Sequence, residues 1–144
     1  MRRARFVPLV LITCGAALLS GCGKAGAHMS GPGILAEGRF AGPLNAAGET
    51  PFWSVRIREQ GLFYTAPDRQ QTTYPISGPN ASGDQAIWTS KTPDGKSLKL
   101  TLSAKPCQDQ ATSIAYPFTA SIEVGGQTMQ GCATKAGEGL GSRE

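Results

Sequence analysis

The chain is poor in the groups that carry most enzyme chemistry. Its one histidine, His28, falls in a Gly- and Ala-rich stretch ahead of the first patterned segment. A histidine general base or nucleophile partner within the body of the chain is therefore excluded. So is a zinc shell built on a His pair. No Gly-x-Ser-x-Gly elbow and no phosphate-cradling glycine loop occurs either, and the sequence implies no cofactor and no metal. Long apolar runs are also missing. The longest, Phe6 to Leu19, is about 14 residues with Pro8, Thr13, Cys14 and Gly15 inside it, short of the ~20 that a membrane-spanning helix needs. No later stretch shows a helical period.

What is present at the N-terminus reads as an export signal. Arg2, Arg3 and Arg5 precede the apolar run, and Leu19-Ser20-Gly21-Cys22 closes it. Small residues before a cysteine suit a lipoprotein signal peptidase, and the Cys22 thiol is the nucleophile for thioether attachment of diacylglycerol. Residues 1–21 are expected to leave and Cys22 to become a lipidated N-terminus. Residues 22–33 then form a flexible tether with a coil span on the order of 20 Å. Gly23 after the lipidated cysteine, where Asp would retain the protein, favours the outer membrane of the bacterial envelope, facing the periplasm. Three of the four excess positive charges depart with Arg2, Arg3 and Arg5. The remaining near-neutral surface gives no case for nucleic acid as a partner.

Topology also sorts the four cysteines. Cys14 leaves with the signal and Cys22 carries lipid, so Cys107 and Cys132 remain. Outside the cytoplasm the two are expected to pair, closing a loop of about 25 residues worth roughly 3 kcal/mol. Free thiols or a metal site are the alternatives, and neither cysteine has a second Cys or His nearby to complete a shell.

From Ile34 the chain turns to short apolar/polar alternations punctuated by Gly, Pro, Asn and Asp. Strands are predicted over Ile34 to Ala41, Phe52 to Arg58, Leu62 to Ala66, Thr72 to Ser77, Gln85 to Lys91, Ser97 to Ala104, Phe118 to Val124 and Gln127 to Ala133. Trp53, Val55 and Ile57 alternate with Ser54, Arg56 and Arg58; Leu98, Leu100 and Leu102 alternate with Lys99 and Thr101. Glu59-Gln60-Gly61, Pro93 to Lys96 and Gly125-Gly126 are hairpin turns joining antiparallel neighbours. About eight such strands in roughly 100 residues predict an all-β domain over 34–133. An antiparallel up-and-down barrel fits best, with a β-sandwich as the alternative. Gly42 to Pro51 and Lys105 to Pro117 read as longer connections, and residues 134–144 as a disordered tail.

Several motifs carry a resemblance. Pro51-Phe52-Trp53 behind Glu49, Gly61-Leu62-Phe63-Tyr64, Cys107-Gln108-Asp109, Tyr116-Pro117 and Gly131-Cys132-Ala133 together resemble a family of small uncharacterised bacterial membrane-associated lipoproteins. The likeness runs from about Phe40 to Ala133. It implies an envelope location and a Cys107–Cys132 disulfide, and no activity. The chain departs from the pattern at Thr50, where an acidic residue is usual, and at Gln110-Ala111-Thr112-Ser113, where Gly-Met-Ser-Asp is usual.

Three functions follow as expectations. The first is a non-enzymatic binding or interaction module whose partner is a small apolar ligand, a cell-wall component or an envelope protein. Its ligand or partner surface draws on Glu49, Trp53, Tyr64, Trp88, Asp109 and Tyr116, since Trp and Tyr suit either a packed interior or a ligand mouth. The second is an inhibitor of a cell-wall hydrolase such as lysozyme, requiring an exposed polar loop over Asp109 to Tyr116. The third is an enzyme using Glu49 and Asp109 as a carboxylate pair, against which stands the ordinary role of such residues as turn caps. Arg56 and Arg58 share one strand face suited to an anionic headgroup or a glycan, or simply to solvent.

Overall fold

A computed structural model of the chain describes residues 38–68 and 70–139. The signal segment, Cys22, the tether with His28 and residues 34–37 lie outside the described residues, as do the last five residues. Nine strands form one curled antiparallel sheet, a half-barrel, in which β1 is Leu44–Glu49, β2 Phe52–Arg58, β3 Gly61–Thr65, β4 Gln71–Tyr74 and β5 Asn80–Ser82. The chain continues through β6 Gln85–Lys91, β7 Ser97–Ser103, the short β8 Cys107–Gln108 and β9 Ala115–Tyr116, β10 Phe118–Val124 and β11 Gln127–Lys135. Sheet order is β4-β3-β2-β1-β11-β10-β7-β6-β5, while β8 and β9 pair only with each other.

The order is a meander joined head to tail: β1 pairs with β11 from Leu44↔Lys135 to Ala47↔Cys132. The two edges, β4 and β5, are consecutive in the chain. Residues 75–79 span the seam between them, where the Ser90 hydroxyl donates to the Pro75 carbonyl and Ile76 is buried.

The period of two decides what faces inward. Leu44 and Ala46, Trp53, Val55 and Ile57, Leu62 and Tyr64, Leu98, Leu100 and Leu102, and Ala120 and Ile122 make one dry inner face. The three expected hairpins are present. Gly125 and Gly126 both sit at positive φ, 59° and 77°, which a two-residue turn of matching twist demands.

The first predicted strand is corrected. Within the described part of Ile34 to Ala41, Gly38–Phe40 is a 3-10 turn whose Phe40 ring packs against Phe118 at 5.2 Å. The strand lies instead at Leu44–Glu49, inside the stretch read as a connection. Its sequence, Leu-Asn-Ala-Ala-Gly-Glu, has little β propensity, and tertiary packing explains why. Trp53 lies across β1 and β11, and its indole N–H donates to the Gln130 carbonyl at 3.2 Å. A Cβ at Gly48 would stand 2.3 Å from Trp53 Nε1, and one at Gly131 would stand 2.0 Å from the Ala47 carbonyl oxygen. Two glycines on neighbouring strands therefore form the seat of one of the two largest core side chains.

The domain also ends later than Ala133. β11 runs to Lys135, Thr134 is fully buried with its hydroxyl on the Glu138 carboxylate at 3.0 Å, and the Ala136 amide donates to Pro43. The start of the expected tail is thus tied to the sheet rather than loose.

Candidate binding surface: a disulfide-clamped flap

The Cys107–Cys132 disulfide is formed, with 5.4 Å between the Cα atoms. Cys132 lies opposite Ala47 on β1 and Thr119 on β10, so its side chain stands on the outer face of the sheet, away from the main core. The connection between β7 and β10, expected to be plain loop, is a small hairpin laid over that outer face. Cys107 pairs with Tyr116 and Gln108 with Ala115. Beneath it Tyr116 and Cys132 are buried, with Ala47 and Cys107 packed against them, in a cluster distinct from the half-barrel interior.

The tip of this flap is ordered by one carboxylate. Asp109 Oδ1 accepts from the Ala111 amide at 2.9 Å, the Thr112 amide at 2.8 Å and the Thr112 hydroxyl at 3.0 Å. The Asp109 amide donates to the Ile114 carbonyl and the Ser113 amide returns to the Asp109 carbonyl, both at 2.9 Å. Ser113 takes a left-handed φ of 58°, uncommon for a residue with a Cβ. The tight turn presents Ile114 half exposed, at 51%, one of two large apolar side chains exposed among the described residues; the other is Phe52 at 42%.

The expected surface is thereby divided. Trp53, Tyr64 and Trp88 are buried in the half-barrel, fully so for both tryptophans, and are not part of any surface. Of the two roles open to these aromatics, packed interior or ligand mouth, they take the first: Tyr64 meets Tyr74 edge to face at 6.5 Å, and both phenols are pushed up by burial. Trp88 fits less completely, since its indole N–H has no acceptor among the described residues. Tyr116 forms the flap's underside and Asp109 its tip. Glu49 ends β1, exposed and opposite Phe52.

The Asp109 carboxylate is also held by its own turn. The amide and hydroxyl of Thr112 hold its carboxyl below the usual carboxylate range, leaving it an acceptor rather than a proton donor near neutral pH. A carboxylate with a depressed folded pKa stabilises above its unfolded value, ~3.9, and the contribution disappears as pH falls through the folded pKa. Acidification through that lowered folded pKa, below the usual carboxylate range, is therefore expected to free the Ala111 and Thr112 amides, read from amide NMR shifts. Asp109→Asn should remove that pH response; amides that titrate identically in both proteins would assign the turn to other contacts.

Arg56 and Arg58 do share the outer face of β2, but they bond to the sheet. Arg56 donates to Gln71 at 2.9 Å and lies 5.7 Å from the Phe63 ring centre, while Arg58 donates to the Leu44 carbonyl and to Asn45.

Sequence reasoning placed Thr112, Ser113 and Ile114 within the exposed loop Asp109 to Tyr116 but gave none of them an individual role. The one available signal was Asp109 followed three residues later by Thr112, a side chain positioned to cap its own turn. Comparison with family models, with characterised proteins and with solved structures finds no match to this chain.

Proposed function

We propose that this is a lipid-anchored, non-enzymatic interaction module of the bacterial envelope, held to the membrane through Cys22, that docks a protein partner through the flap at 107–116. One observation carries the reading. The half-barrel interior is filled, whereas the flap is clamped by a disulfide and ordered before binding, with an apolar side chain at its tip. A pre-ordered loop loses little conformational freedom on association, and a half-exposed Ile offers the apolar anchor that a partner pocket takes up. Among the described residues the buried inner-face side chains offer a small apolar ligand no comparable support. Inhibition of a cell-wall hydrolase such as lysozyme is the second reading, supported by the same protruding loop, which suits a cleft.

A photo-crosslinking residue at position 114 in the lipidated protein, irradiated in intact cells, tests the first reading. The expected result is one discrete protein adduct that falls at least tenfold when Asp109→Ala loosens the turn. Adducts no different from those of a probe at exposed Lys91, on the opposite half of the sheet, would reject it. Ile114→Asp should leave thermal unfolding unchanged, because that side chain is half exposed. Lysozyme keeping full activity in an excess of the purified protein would reject the second reading. Anchoring is checked separately: Cys22→Ala should move the protein from the membrane fraction to the soluble one.

A further inference from the structure

The flap and the half-barrel are stabilised by different contacts. The half-barrel rests on its inner face, to which the flap contributes nothing: Tyr116 and Cys132 form their own cluster with Ala47 and Cys107. The hydrogen bonds that order the flap close on the flap itself, through the Cys107↔Tyr116 and Gln108↔Ala115 ladder, the Asp109–Ile114 backbone bond and the Asp109 carboxylate. What clamps this self-contained hairpin to the sheet is the disulfide, over a cluster with only two buried members. The β1–β11 ladder beneath, Ala47↔Cys132 included, is made by backbone groups of the sheet and does not need the flap.

We infer that the Cys107–Cys132 bond is a redox clip: a dithiol reductant releases the flap from the outer face of β1 and β11 while the nine-stranded sheet stays folded. Cys107 is the more exposed of the two cysteines, with Cys132 only 4% exposed, so the attacking thiolate reaches the Cys107 sulfur. The S–S bond breaks, Cys132 leaves as a thiolate and takes up a proton, and a mixed disulfide forms on Cys107. The second thiol of the reductant then attacks its own sulfur in that mixed disulfide, and Cys107 is released and protonated. Two electrons pass from the dithiol, which becomes a disulfide, to the protein. The released state uncovers Ala47 and a free Cys132 thiol, and the turn carrying Ile114 no longer has a fixed position on the sheet. Local opening of this kind belongs to segments with few buried contacts of their own. The inference concerns conformation alone and stands whether or not the flap docks a partner.

Hydrogen exchange followed by mass spectrometry on the full-length protein in detergent, with and without dithiothreitol, tests it, thiol alkylation reporting the bond. The expected result is at least a tenfold faster exchange over residues 108–116 on reduction, with unchanged protection in β2, β7 and β10. Three results overturn it: the bond resists the reductant until denaturant is added; the flap stays protected once both thiols are alkylated; or protection is lost across the whole sheet. The Cys107→Ser/Cys132→Ser double variant should show the released pattern without reductant. If that variant does not fold, the reductant series alone decides.

Discussion

Gly131→Ala is expected to prevent folding or to remove more than about 4 kcal/mol of stability, an exceptional loss for a single methyl group. The new Cβ would lie 2.0 Å from the Ala47 carbonyl oxygen, 2.6 Å from its carbon and 2.9 Å from Trp53 Cζ2. None of these is the free end of a flexible side chain. Two are backbone atoms of β1 and the third belongs to a fully buried ring. The methyl group fits only if β1 and β11 separate, and their pairing is what joins the two ends of the meander. Ordinary overpacking costs about 1–3 kcal/mol because side chains can shift. Here the ladder itself must give way. Urea unfolding followed by circular dichroism measures it, with Gly125→Asn as the control. That turn position has φ 59° and open space around a Cβ, and Asn tolerates the left-handed region, so the control should stay within about 1 kcal/mol of the parent. A Gly131→Ala protein with the parent's midpoint would refute the seat formed by the two glycines.

Trp53→Ala should cost about 4–5 kcal/mol, a large part of the ~5–15 kcal/mol that a domain of this size has. The loss has two sources. An empty volume opens over Gly48 and Gly131, which have no side chains to fill it, and the Gln130 carbonyl loses its indole donor. The milder Trp53→Phe and Trp88→Phe pair separates them. Both remove similar volume from a fully buried site, but only Trp53 gives up a hydrogen bond, whereas Trp88 gives up a buried N–H with no acceptor among the described residues. An unsatisfied buried donor costs about 1–3 kcal/mol, so its removal offsets part of the cavity penalty. Trp88→Phe is therefore expected to unfold at a higher urea concentration than Trp53→Phe. The reverse order would mean that the Gln130 bond contributes little.

These two substitutions lie in the part of the fold that was hardest to read. β2, β7 and β10 show period-two alternation from end to end, and each is a strand at or within one residue of its expected bounds. β1 shows none, because small residues at 46, 47 and 48 are selected by what presses on them from Trp53 and from the flap. β8 and β9 are two residues each and carry no pattern long enough to detect. Tyr116 illustrates the resulting ambiguity. It was expected in a ligand or partner surface, yet whether its ring met solvent, a ligand or a disulfide depended on where the hairpin lay.

The sequence by itself determined that the domain is all-β, which faces of its long strands are dry, where three of its hairpins turn, and that Cys107 and Cys132 are left to each other. Those properties follow from side-chain periodicity, glycine turns and a cysteine count, all local or arithmetic. Only the tertiary structure decided that both tryptophans are core, that a Gly- and Ala-rich segment is the central strand joining the two halves of the meander, and that the connection at 107–116 is a flap clamped over the outer face. Those depend on which distant residues come to share a face. Trp53 meets Gln130 and Gly131 across 77 and 78 positions of chain, a separation that no local pattern encodes.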